Sequence, residues 1–238
     1  MENNHDNYQG ASTHLSLVSD ADRTAFYKKT YGHVAGGVLA FVLFEYLLLQ
    51  SDTIVQFMMS MASGIKWLLL LGGFMFVTTY AESTAMKTGD KNKQYLAYAI
   101  YILAQAFIFI PMIYIATSYM ESGAEILQQA GLVTLALFTG LTAVVMLTNK
   151  DFSFLKAGLT IGFFIALGLI IAGAIFGFDL GLWFSGAMCL LAAGSILYQT
   201  SQIKDKYTTE DYIPAALGLF ASLMLLFWYV LRIFMSRD

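Results

Sequence analysis

Seven stretches of mostly apolar residues, each near the ~20 that a helix needs to cross ~30 Å of hydrocarbon, constrain this chain more than anything else in it. They lie near Thr30 to Gln50, Ile65 to Glu82, Tyr95 to Tyr119, Ile126 to Thr148, Phe154 to Phe176, Leu180 to Ile203, and Ile213 to Phe234. Each is continuously apolar instead of alternating with period two, which excludes a membrane β-barrel. The composition agrees: 58% of residues are hydrophobic and only 12% are charged, against about 25% charged in a soluble domain. The charges sit in short islands, too few to clothe a soluble surface. The sequence therefore predicts an all-α integral membrane protein, a seven-transmembrane-helix bundle over residues 30–238. Between the first two spans, Ile54, Val55, Phe57, Met58 and Met61 predict a short helix on the membrane surface. Cys189, the one cysteine, is expected to be a buried small hydrophobe.

Residues 1–29 read as a polar cytoplasmic tail, expected to be disordered because it carries too little apolar surface to fold alone. It has no Lys or Arg before Arg23, so no cleavable signal is expected and the first span is expected to direct insertion.

Orientation follows from the basic residues, which short cytoplasmic loops retain. With the N-terminus inside and the C-terminus outside, ten of the 13 Lys and Arg fall on the cytoplasmic side. They are Arg23, Lys28, Lys29, Lys87, Lys91, Lys93, Lys150, Lys156, Lys204 and Lys206, leaving Lys66, Arg232 and Arg237 outside. Trp67, Trp183 and Trp228 all fall near outer span ends, where Trp favours the interface. Gly173 with Gly177, and Gly181 with Ser185, have the four-residue spacing that allows close helix approach.

Ionisable groups within hydrocarbon cost several kcal/mol unless paired or hydrated, so each is a candidate functional residue. Glu45, near the outer end of span one, reads either as a carboxylate reaching the interface or as part of an outer cavity. His33 reads as an interfacial histidine. Arg232 has two readings, a pair with Glu45 or a loop carboxylate, or snorkelling to headgroups. The uncharged polar residues Gln105, Thr134, Thr139, Thr142, Gln199, Thr200, Ser201 and Ser222 read as helix contacts or as a polar pathway. No enzyme is expected: Ser185 lacks the Gly-x-Ser-Gly setting and histidine of a membrane serine protease, no span core holds an aspartate, and three scattered histidines make no metal site. No cofactor and no nucleic-acid partner are expected.

The segment Gln128-Gln129-Ala130-Gly131-Leu132-Val133-Thr134-Leu135-Ala136-Leu137-Phe138-Thr139-Gly140-Leu141-Thr142 and the charged turn Lys150-Asp151-Phe152-Ser153-Phe154-Leu155 resemble the Bax inhibitor-1/YccA family. So do Ile196-Leu197-Tyr198-Gln199-Thr200-Ser201-Gln202-Ile203, Ile213-Pro214 with Leu226-Phe227 and Leu231-Arg232, and Pro111 in span three. The resemblance implies six helices around a central C-terminal one. It also implies association with stress and cell-death suppression, with acid-sensitive Ca²⁺ leak, or, in the YccA-like bacterial branch, with modulating an FtsH-type membrane-anchored AAA+ protease. In the leak members, two aspartates on spans six and seven share a proton and an arginine on span two helps lock the closed state. Here Gln199 and Ser222 occupy the aspartate positions, and span two has no arginine. Neither residue titrates near neutral pH, so the carboxylate switch is absent, and a Gln199 to Ser222 hydrogen bond is expected to join the helices instead. The sequence thus favours a multi-pass bacterial inner-membrane modulator of protein quality control or stress response. A cation (Ca²⁺) leak channel without the pH switch is the alternative. The tail offers the protease a handle, and Asp52, Glu121, Glu125 and Asp179 give the outer loops a mild acidic bias.

Overall fold

The computed structural model describes residues 15–148 and 150–236. Residues 1–14 of the tail, Asn149 of the charged turn, and Arg237 lie outside the described residues. With no water in a bilayer core, each backbone amide must bond within its own segment, which the apolar stretches do as helices. Eight helices follow: α1 (Asp20–Leu49), α2 (Asp52–Met61), α3 (Gly64–Lys87), α4 (Lys91–Tyr119), α5 (Gly123–Leu147), α6 (Leu155–Phe176), α7 (Gly181–Asp205) and α8 (Tyr212–Met235). All but α2 are long and apolar enough to cross a membrane.

The C-terminal helix is central, as expected. Helix α8 touches α1, α3, α4, α5 and α7. Helix α4 shares the centre, since 61% of its membrane window is buried against 56% for α8 and 6% for α6, which lies at the rim. Stacked and edge-on rings fasten α1, α4 and α8 together: Phe41 meets Phe109, and Phe109 meets both Phe227 and Trp228. Helix α1 approaches α4 closely at Gly37, where Tyr98 Oη donates to the His33 carbonyl at 2.9 Å.

Several expectations are corrected. The first helix begins ten residues early, so residues 20–29 are helical. Ser19 caps α1 by accepting the Asp22 N–H, Asp20 and Asp22 favour the positive end of the helix dipole, and Phe26 is buried. Leu15 is buried too, its N–H donating to the Tyr207 carbonyl at 3.1 Å. Gly177 and Gly181 do not mediate helix approach: they end α6 and begin α7 with φ of 74° and 66°, a left-handed backbone that suits glycine. Trp67 and Trp228 stack on each other 6.0 Å apart and line a cavity, whereas Trp183 is exposed. The short helix after span one is present as α2, with Val55 and Met58 buried against Ile110.

Candidate functional site

Helix α3 packs along α4, meets α8 where Trp67 stacks on Trp228 and elsewhere stands off from α7 and α8, and the space between them is a cavity of about 980 Å³. Its wall on α3 runs from Gly64 to Met86; at ~1.5 Å per residue that is ~33 Å, the thickness of the hydrocarbon layer. The wall on α8 runs from Pro214 to Arg232. One face of α3 supplies the lining: Trp67, Leu71, Phe74, Thr78, Glu82 and Ala85 recur every three or four residues, as a single helical face must.

The two halves of the cavity differ. Toward the end away from the basic loops it is aromatic, with Trp67, Phe74, Phe109, Phe184 and Trp228. Across that mouth, Arg232 Nη2 donates to Asp179 Oδ1 at 3.0 Å. The same oxygen accepts the Gly181 N–H at 2.9 Å. That backbone bond is the chief reason the Asp179 carboxyl is held below the usual carboxylate range; slight burial opposes it and Arg232 reinforces it. Toward the basic end the lining is polar, with Thr78, Glu82, Tyr101, Gln105, Gln199 and Ser222.

Glu82 was not among the residues singled out in the sequence. It was counted as the end of span two, yet α3 continues to Lys87 and Glu82 opens into the cavity, facing the Tyr101 hydroxyl. The readable signal was Thr78 and Glu82 on the face that also carries Trp67, Leu71 and Phe74. At the basic mouth, Tyr207 is pushed up to about 12, mainly by burial. Asp211 there accepts both the N–H and the hydroxyl of Thr208.

Of the residues expected from the sequence, the cavity gathers Gln105, Gln199, Ser222 and Arg232. Ser222 does not bond Gln199. Its hydroxyl pairs with Ser195 at 2.8 Å and bonds the Gly218 carbonyl at 3.1 Å, because Ser195 lies one helical turn nearer along α7. Gln199 instead packs over Gly218, where an added Cβ would come 3.0 Å from its Oε1. Gln105 Nε2 lies 3.5 Å from Tyr101 Oη. Arg232 takes the loop carboxylate, Asp179, and not Glu45.

Glu45 does not turn outward. It is buried with Phe41 on the inward face of α1, and neither oxygen has a hydrogen-bond partner among the described residues. Thr134 is also buried without such a partner. Thr139 is exposed on α5; five residues from Thr134, it is turned by ~140° to the lipid side at 3.6 residues per turn. His33 lies at the basic end, with Nδ1 2.6 Å from the Lys29 carbonyl and Nε2 3.1 Å from Tyr95 Oη.

The charged turn is fixed to α7. Ser201 Oγ accepts the Phe152 N–H at 3.1 Å and donates to Asp151 Oδ1 at 3.3 Å. Gln202 Nε2 donates to Ser153 Oγ at 3.1 Å. Asp151 sits below the usual carboxylate range, chiefly through the Ser153 hydroxyl and N–H.

The sequence has relatives. An uncharacterized protein of Pseudomonas aeruginosa is 36% identical over 116 residues, covering 48% of this chain and 52% of that one. Mouse protein lifeguard 4 is 32% identical over 108 residues, 44% of each. Bax inhibitor 1 of Schizosaccharomyces pombe is 28% identical over 172 residues, covering 70% of this chain and 61% of the relative. The chain thus spans about half the length of the first two. A family model described as inhibitor of apoptosis-promoting Bax1 matches residues 23–238, all of the sequence from Arg23 onward, and the chain is therefore a multi-pass membrane protein belonging to the Bax inhibitor-1/YccA family.

Proposed function

We propose that this chain is a non-enzymatic leak pathway for small cations, Ca²⁺ or a monovalent ion, in a bacterial inner membrane. The observation that carries the reading is the cavity whose α3 wall is as long as the hydrocarbon is thick, polar over its basic half and lined by aromatic rings toward the other end. A carboxylate inside it, Glu82, favours positive over negative occupants. The Asp179–Arg232 pair lies across the outer mouth, where a latch belongs. Because Gln199 and Ser222 do not titrate near neutrality, the leak lacks a two-carboxylate switch, and Glu82 in the cavity gives it no more than a shallow, one-proton pH dependence. The Pseudomonas relative supports the bacterial assignment.

The test is flux of Na⁺, K⁺ and Ca²⁺ into proteoliposomes between pH 6 and 8. Passage of at least one of them with a shallow pH profile is expected; passage of none overturns the reading.

A second reading, modulation of a membrane-anchored AAA+ protease, has one observation in its favour. The segment leading into α1 is seated on the basic mouth, through Leu15 N–H to the Tyr207 carbonyl and Arg23 Nε to the Leu15 carbonyl. A protease engaging the preceding tail would thus act on the mouth directly. Co-purification and protein half-life with and without residues 2–22 test it; no association and unchanged turnover sink it.

A further inference from the structure

The carboxylate of Glu82 stands inside the polar half of the cavity, where an ionised group is costly unless a counter-charge or water meets it. The Tyr101 hydroxyl faces it, and Tyr207 lines the same cavity. None of the ion pairs among the described residues uses Glu82. Of the cations that line the cavity, Arg232 is committed to Asp179 at the far mouth and Lys206 acts on Asp151. Among the remaining acidic groups at the near mouth, Asp211 is engaged by Thr208 and Glu210 by Lys91.

Around the same space the helices offer neutral oxygens. Gln105 and Tyr101 come from α4 and Gln199 from α7. The Gln199 amide packs against Gly218, where an added Cβ would crowd it at 3.0 Å. Such donors suit an ion that sheds part of its water, and the number of full charges decides which ion. Ca²⁺ takes six to eight oxygens, several of them carboxylate, and no group of three His, Cys, Asp or Glu able to hold a metal occurs among the described residues. One carboxylate neutralises one positive charge; a divalent ion would leave an uncompensated charge in a poorly polarisable setting.

We propose that Glu82, with Tyr101, Gln105 and Gln199, forms a binding site for a single monovalent alkali cation, Na⁺ or K⁺, in the polar half of the cavity. The site rests on the leak reading for its role in transport. It narrows the ion from the Ca²⁺ expected from the sequence to a monovalent one.

The experiment is thermal unfolding of the full chain in detergent, titrated with NaCl, KCl or CaCl₂ against choline chloride at constant ionic strength. Na⁺ or K⁺ is expected to raise the unfolding midpoint saturably, and Ca²⁺ to do so less. Glu82→Gln is expected to abolish the response and Glu82→Asp to retain it with weaker affinity. Gln199→Leu keeps the charge and serves if Glu82→Gln does not fold; it should weaken binding about tenfold, the worth of one contact to an ion. Equal responses in the wild type and Glu82→Gln, equal affinity in Gln199→Leu, a larger shift with Ca²⁺, or no shift with any cation overturns the site. Flux measured in parallel separates the two readings. Saturable Na⁺ or K⁺ binding without flux keeps the site and sinks the leak, whereas flux indifferent to Glu82→Gln keeps the leak and sinks the site.

Discussion

Ser222 Oγ lies 2.8 Å from Ser195 Oγ across the contact between α7 and α8, so the position where the family resemblance implies an aspartate is tied to a hydroxyl one turn from Gln199. The tie bridges the helices without a titratable group. Ser222→Ala is expected to lower stability by about 0.6 to 1.7 kcal/mol, the range for hydrogen bonds between membrane helices. Thermal unfolding in detergent measures it. The double variant Gln199→Asp with Ser222→Asp places two carboxylates on facing helices, where they cannot both ionise easily. Proteoliposome flux between pH 5 and 8 should then become pH-dependent, in contrast to the wild type; a profile as flat as the wild type's would show that the missing carboxylates are not what distinguishes this chain.

Adjacent glycines on α1 make a controlled pair. A Cβ added at Gly37 would lie 2.2 Å from Tyr98 Oη, while one at Gly36 meets nothing within 4 Å. Gly37→Val must displace the tyrosine that donates to the His33 carbonyl, and should cost about 1 to 3 kcal/mol, as overpacking does. Gly36→Val should cost far less. The difference between their unfolding midpoints is the readout, and equal midpoints would mean that α1 does not approach α4 there.

The Asp179–Arg232 pair gives a pH prediction with a definite sign. The Asp179 carboxyl is held below its ordinary value, first by the Gly181 N–H and then by Arg232. A carboxylate depressed in the folded state contributes stability that is present above its unfolded value near pH 3.9 and is lost as pH falls through the folded one. The stability gap between wild type and Asp179→Asn should therefore stay constant from pH 5 to 8 and close below about pH 4. With the aspartate largely exposed, the gap itself should stay below about 1 kcal/mol. Unfolding midpoints across that pH range decide the matter.

The spans were legible because ~20 continuous apolar residues admit one structure in a bilayer. The cavity was not, since it arises between α3 and the distant helices α7 and α8, separated from it in sequence by at least three other elements. Thr134 and Thr139 show the limit at residue level: equally polar and five apart, one turned inward and the other to the lipid side. Glu45 was read with the interface as one of its two settings, and the packing of α1 on its neighbours buried it. Glu82 was hidden because it stood as the last residue of the expected span, whereas α3 runs on to Lys87. Ser195 had no signal of its own, because which of two residues on adjacent turns meets Ser222 depends on the register between α7 and α8.

Lys204 closes the basic end of α5 from another helix. Its Nζ donates to the carbonyls of Val145 at 3.2 Å and Thr148 at 2.9 Å, groups that the last turn of a helix leaves without intrahelical partners. A cation there also meets the negative end of the helix dipole, worth about 0.3 to 1 kcal/mol. Beside it, Ser201 and Gln202 hold Phe152 and Ser153, so α7 fastens both the end of α5 and the turn that follows. Lys204→Met keeps the apolar stem and removes the donor. Hydrogen exchange over residues 145–155 should accelerate by about twofold to fivefold, that free energy expressed as an opening constant, while exchange in α1 and α4 stays unchanged. Unchanged exchange over 145–155 would mean that water satisfies those carbonyls as well as the lysine does.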